Sequence, residues 1–189
     1  MGDQGGAEDR WGAHLGELID AAPLAPTIEE AVRPMEGLEW PASVDTPAGA
    51  IRMSVVRRVL ATKRNAMRAV LQRLGCPEFG EDNALAIHLY TKELDFRLYA
   101  VLNGQLHHPD RGAGPGGVSD GLRRCLPYTK FLSNALETAP EQFIWDGVCH
   151  RGIKFAYSSV GTAATVDDHD PAAYFPVGRV FQWFEFKSA

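Results

Sequence analysis

The chain has 189 residues, 45% of them apolar, and a formal net charge of −5: enough for one domain with a core, or one domain plus an appendage, and too negative overall for nucleic-acid binding through net charge. No stretch has the length of a transmembrane helix, so no membrane span is expected, and the polar, acidic start "MGDQGGAEDRWG" lacks the apolar run of a secretory signal. Three cysteines (Cys76, Cys125 and Cys149) without paired spacing indicate neither a disulfide framework nor a zinc site, and make a reducing, intracellular compartment the default.

Charge is unevenly spread along the chain. Residues 1–50 carry ten acids against two bases, and residues 51–74 carry seven bases and no acid. The first fifty residues are rich in Ala, Pro and Gly, with short helical patterns at best. They read as a loosely ordered acidic extension. Residues 51–82 read as a basic amphipathic helix and its linker. In "IRMSVVRRVLATKRNAMRAVLQRLG", Ile51, Val55, Val59, Met67, Val70, Leu71 and Leu74 lie near one helical face, and Gly75 and Pro77 stop it. Its bases make either a phosphate or nucleic-acid surface, or a solvated face that folds back on the acidic extension.

"NALAIHLYTKELDFRLYAVLNGQLHH" reads as two short helices broken near Thr91 to Leu94, with Phe96, Tyr99, Leu102 and Leu106 at helical spacing. His107 and His108, adjacent in one helical turn, point apart and read as surface residues rather than a metal pair. "DRGAGPGGVSDG" lacks the Lys-Ser/Thr ending of a phosphate loop and reads as a mobile connector. "LRRCLPYTKFLSNALETAP" reads as a helix with Leu132, Ala135 and Leu136 inward and Pro140 beyond its end.

After Pro140 the texture changes. "QFIWDGVCHRGIKFAY" and "RVFQWFEFKSA" read as strands, with a polar loop between them. Helices first and strands after suggest an α+β fold. Two strands are rarely stable alone, which leads to the expectation of a fragment, incomplete at the C-terminus. Arg151 ends an apolar strand. From local sequence it is either a solvated strand end or a clamp for a phosphate. Cys149 and His150 beside it read as a packing residue and a hydrogen-bonded strand end.

Five ordered blocks give the chain a resemblance. "AIHLYT" resembles an Ala-Ile-x-x-Tyr-Thr block, and "LYAVLNGQLH" a Tyr-Arg-x-x-Asn-x-Ala-Leu-Arg block with Tyr99 and Asn103 in register. "LPYTKFLSNALETAP" resembles a helix ending Ala-Leu-x-x-x-Pro, and "VCHRGIK" a Val-Tyr-Arg-Gly-Val strand. "VGRVFQWFEFKSA" resembles Lys-Gly-x-x-Val-x-Trp-x-Gly-Phe-x-Ser-x-Ser. These are blocks of the arginine-type mono-ADP-ribosyltransferases, whose active site is an Arg–Ser–Glu set. The likeness covers residues 83–189, which read as a partial ADP-ribosyltransferase domain. The chain departs from the pattern at Ala100, His107, His150 and Glu185. The family's downstream Glu-x-Glu motif is not among the 189 residues.

The resemblance implies a helical part followed by the first strands of a mixed, β-sandwich-like NAD-binding core. It also implies that NAD is the substrate, that ADP-ribose passes to an arginine of a target protein, and that nicotinamide leaves. No metal, membrane or nucleic acid is implied. Arg151 would hold the pyrophosphate with two parallel bonds, as a planar, permanently charged guanidinium can. Gly152 would let the backbone approach the nicotinamide amide. Ser188 would orient the nicotinamide ribose. Trp183, Phe184 or Phe186 would wall the nicotinamide pocket. A carboxylate is needed to stabilise the oxocarbenium-like centre. Glu185 is a poor substitute, because its strand neighbours Phe184 and Phe186 point to the opposite face. The enzyme reading expects the 189-residue chain alone to be inactive. A second reading is a non-catalytic NAD-binding or interaction domain of the same fold. A third is a helical module that binds an acidic partner through residues 51–74.

Overall fold

The structure, a computed structural model, describes residues 5–42, 47–91, 97–108 and 110–143, with side chains described from residue 13 onward. Helix α1 (Gly5–Ala21) lays Leu15, Leu18 and Ile19 against the core, followed by Ala22. That is the i, i+3, i+4, i+7 spacing of one helical face. Lys130 reaches back to Asp20 at 3.2 Å.

Helix α2 (Ile28–Val32) starts with a cap that the sequence carries openly. The Thr27 hydroxyl accepts the Glu30 amide at 3.2 Å, and Asp82 from a distant helix accepts the Ile28 amide at 3.2 Å. These bonds satisfy amides that a helix start leaves without partners. Ile28, Ala31 and Val32, with Met35 in the 3-10 turn Arg33–Met35, are all fully buried. Strands β1 (Glu39–Trp40) and β2 (Gly49–Ala50) then pair antiparallel, with Trp40 opposite Gly49. The Trp40 indole donates to the Pro47 carbonyl at 3.1 Å. Gly49 lies so close under the Trp40 ring that any Cβ would strike it.

The reading of residues 1–50 as a loosely ordered extension is therefore corrected. Residues 28–40 supply core side chains that pack in the same cluster as every later helix. Ala, Pro and Gly dominate the composition, but the capped run from Thr27 to Met35 has a complete helical stripe.

Helix α3 (Met53–Arg73) forms where expected, and Gly75 follows it at φ +71°, the left-handed conformation that ends helices. Its buried stripe is Met53, Val56, Val59, Leu60 and Leu71. Val55 and Met67 pack at the margin, and Leu74 is 40% exposed. The stripe is thus turned part of the way round from the expected one.

Helices α4 (Glu81–Thr91) and α5 (Leu98–Leu106) match the expected pair, and residues 92–96 between them lie outside the described residues. The buried face of α5 is Leu98, Val101, Leu102 and Leu106, and Tyr99 is half-buried rather than central. Phe96 lies outside the described residues.

The glycine-rich segment is tied down, not a free connector. The Ser119 amide donates to Arg111 O at 2.7 Å and the Arg111 guanidinium to Leu106 O at 3.2 Å. The Arg123 guanidinium holds the Pro115 carbonyl, and Val118 is buried. Gly116 and Gly117, both at φ 70°, make this tight path possible.

Helix α6 (Asp120–Glu137), capped by Ser119, is the central element: α1, α2, α4, α5 and the Arg33–Met35 turn all pack on it. Leu122, Cys125, Leu126, Tyr128, Phe131, Leu132 and Ala135 are buried on it. Leu136, expected inward, is 39% exposed. Gln142 and Phe143, expected to open a strand, lie in a 3-10 turn, with Phe143 edge-on to Phe79 at 5.7 Å. The described fold is α+β in the coarse sense of six helices and one small antiparallel sheet. The strands expected beyond Phe143 lie outside the described residues. No described helix is long and apolar enough to cross a membrane.

Candidate functional site

Arg151, Gly152, Ser188, Trp183, Phe184 and Phe186 lie outside the described residues, as do Cys149, His150 and Glu185. The structure does describe the residues of the first three blocks. "AIHLYT" is on α4, "LYAVLNGQLH" on α5 and "LPYTKFLSNALETAP" on α6. These three helices pack on one another.

A buried hydrogen bond joins the first and third blocks. Tyr128 is fully buried, and its hydroxyl donates to Ala86 O at 2.9 Å. Burial pushes the Tyr128 phenol well above its usual pKa, and the nearby Tyr90 adds to the rise. It is a structural donor and has no accessible phenolate. Thr91 turns its hydroxyl back to Ile87 O at 3.1 Å and closes the end of α4. In the second block, Asn103 buries a side-chain oxygen that accepts no hydrogen bond, while His107 is exposed.

Cys125 is buried on α6, and burial pushes its thiol up to about 12, only partly offset by the Arg124 charge. Cys76 is buried too, with its sulfur 3.8 Å from Leu71 O. The Cys125 thiol is therefore no nucleophile at neutral pH, and Cys76 is shut off from solvent. His107 and His108 are exposed, and the His108 ring accepts the Asp110 amide at 3.1 Å. Among the described residues no group of three or more His, Cys, Asp or Glu side chains is placed to hold a metal. An open cleft of about 390 Å³ lies between α4 and α6, lined by Glu78, Phe79, Asn83, Asn134, Thr138 and Pro140.

The bases of α3 divide into two sets. Arg57 pairs with Glu29 of α2 at 2.8 Å. Arg64 pairs with Asp82 at 2.7 Å and Glu81 at 3.6 Å, and Arg68 pairs with Glu81. The Arg57 hydrogen bond holds Glu29 below the usual carboxylate range, and the Arg68 hydrogen bond does the same for Glu81; both outweigh desolvation. Folding back on the acidic N-terminal part thus occurs at Glu29. The larger share of the neutralising acids comes from the start of α4, which the sequence did not single out. Arg52, Arg58, Lys63 and Arg73 pair with no described acid.

Sequence reasoning also missed Arg124. Its guanidinium donates to Pro34 O at 2.7 Å and to Glu36 O, clamping the turn after α2 to α6. No local signal marks it, because its acceptors are main-chain oxygens 88 and 90 residues away. No family model, curated protein or solved structure matches the chain.

Proposed function

We propose that the chain carries the helical part and the NAD-gripping segment of an arginine-type mono-ADP-ribosyltransferase. The observation that supports this is the order of the five blocks, at compatible spacing, from residue 86 to residue 189. The first three lie on helices that pack against each other, as parts of one platform should. On this reading the platform seats the strand of Arg151. Arg151 grips the pyrophosphate of NAD, Gly152 admits the nicotinamide amide, Ser188 orients the ribose, and Trp183 and Phe186 wall the pocket. The carboxylate for the transfer step belongs to the Glu-x-Glu motif, which is not among the 189 residues. On this reading the part played by the residues named here is to bind and orient NAD.

The test is calorimetric NAD binding to the 189-residue chain, together with mass detection of ADP-ribosylated agmatine by this chain and by one continued along its native coding sequence. Arg151→Ala should weaken NAD binding roughly tenfold to a hundredfold, the size of a lost charge-assisted pair. Transfer is expected only where a Glu-x-Glu carboxylate joins Arg151 and Ser188. Arg151-dependent binding without transfer by either form would move the protein to a non-catalytic NAD-binding domain. NAD binding that ignores Arg151, or no binding at all, would remove the reading.

A further inference from the structure

We propose that the outer face of α3 is a docking surface for an acidic protein segment. The helix is 21 residues long and has no acid, and no acid lies anywhere in residues 51–74. Exposed helix faces ordinarily mix signs, since opposite charges three or four residues apart support the helix. Acids are also favoured in the first turn, where the dipole is positive, and α3 has none there. The sequence forgoes those gains in favour of a one-sign surface.

Packing separates the bases. At 3.6 residues per turn, Arg57, Arg64 and Arg68 fall within about 40° of one another, on the flank that meets Glu29, Glu81 and Asp82. Of the other four, Arg58, Lys63 and Arg73 fall in an arc of about 140° on the opposite flank and outer side, and Arg52 is the extended residue just before the helix. None of these four pairs with a described acid, and Arg52, Arg58 and Arg73 are exposed. Beside and among them the outer face carries small or neutral exposed side chains: Ser54, Ala61, Thr62, Asn65, Ala66, Ala69 and Gln72. Their small size lets a partner backbone approach closely, while the long basic side chains reach around it. From Arg58 to Arg73 the face runs about 22 Å along the axis, roughly four helical turns. That length and sign fit an acidic helix or extended acidic peptide. A duplex nucleic acid is the poorer fit, because it carries about one charge per 1.7 Å of axis, far more over this length than four bases can neutralise.

Fluorescence anisotropy tests the proposal with labelled poly-L-glutamate and labelled duplex DNA as probes, at salt concentrations on either side of physiological. The parent chain should bind poly-L-glutamate at low salt and release it at high salt. The triple variant Arg58→Gln, Lys63→Gln, Arg73→Gln should bind at least about tenfold more weakly, a loss of roughly 1.4 kcal/mol. Glutamine keeps helix propensity close to that of Arg and Lys, and circular dichroism checks that α3 survives. The control variant Arg57→Gln, Arg68→Gln removes bases already neutralised and should bind within about threefold of the parent, since exposed pairs of this kind add little. Four results would overturn the proposal. They are no binding of poly-L-glutamate at low salt, equal binding by parent and triple variant, equal losses in triple and control variants, or tighter binding of the duplex.

Discussion

Tyr128 shows how a single side chain locks two helices. It is the bulkiest of the fully buried side chains, and its only polar atom finds Ala86 O at 2.9 Å. A buried hydroxyl without a partner would be costly, so the bond makes the burial of a tyrosine tolerable. Tyr128→Phe keeps the ring and removes only the hydroxyl. Ala86 O sits inside α4, where the helix supplies another donor, so nothing is left stranded. The expected loss is about 1 kcal/mol, seen as a lower urea midpoint at unchanged slope. A loss several times larger would mean that the hydroxyl holds more than this one bond. The residue was visible in the sequence as part of "LPYTKF", but its partner was not. A main-chain oxygen 42 residues away leaves no trace in local pattern.

Elements were more legible than their pairings. The positions of α3, α4, α5 and α6 follow from apolar periodicity, and the stops of α3 and α6 from Gly75 and Pro140, whereas the Ser119 cap of α6 lay unread in the glycine-rich segment. The exact buried stripe was not legible, because neighbours choose which part of a broad apolar face is covered. On α5 the neighbours take Leu98 and Val101 and leave Tyr99 half-exposed. The charge pairs of α3 show the same limit. The run of bases was plain, yet the acids that meet Arg64 and Arg68 stand at the start of α4, brought there by the turn through Gly75 and Gly80. These pairs carry a pH signature. Glu29 and Glu81 are held below the usual carboxylate range by Arg57 and Arg68. A carboxylate depressed in the folded state contributes stability above its unfolded value, about 4.3, and loses it as pH falls through the folded value. Calorimetric midpoints of the parent should therefore be level from neutral pH to about 5 and fall below it. Arg57→Gln with Arg68→Gln should lower the midpoint slightly at neutral pH, and the gap to the parent should close in acid. A gap that stays constant down to pH 2 would mean that the two arginines act through packing instead.

At the scale of the molecule, the described helices and the small sheet share one core, and the N-terminal part belongs to it. Composition hid this, since Ala, Pro and Gly are as common in loose segments as in tight turns. The physical signal was the capped stripe Ile28, Ala31, Val32, Met35, together with Trp40 folding over Gly49. The division at residue 50 drawn from charge is therefore not a boundary in packing, because β2 ends at Ala50 and Ile51 is itself buried. Two shortened chains distinguish the views. One begins at residue 26 and lacks α1, whose described side chains contribute one buried residue, Leu15, and partial cover from Leu18 and Ile19. It should still unfold cooperatively, at a lower midpoint. The other begins at residue 51 and lacks Ile28, Val32, Met35, Leu38 and Trp40, all buried. At roughly 1.5–3 kcal/mol for each large apolar side chain, that loss rivals the whole stability of an ordinary domain, about 5–15 kcal/mol. It also strips the partners from Arg57 and Arg124, leaving the carbonyl-clamping guanidinium of α6 with nothing to hold. The shorter chain should bind a hydrophobic dye and melt without a cooperative transition. A sharp transition near the parent midpoint would restore residues 1–50 to the status of an appendage, and would make the helices from α3 onward a folding unit in their own right.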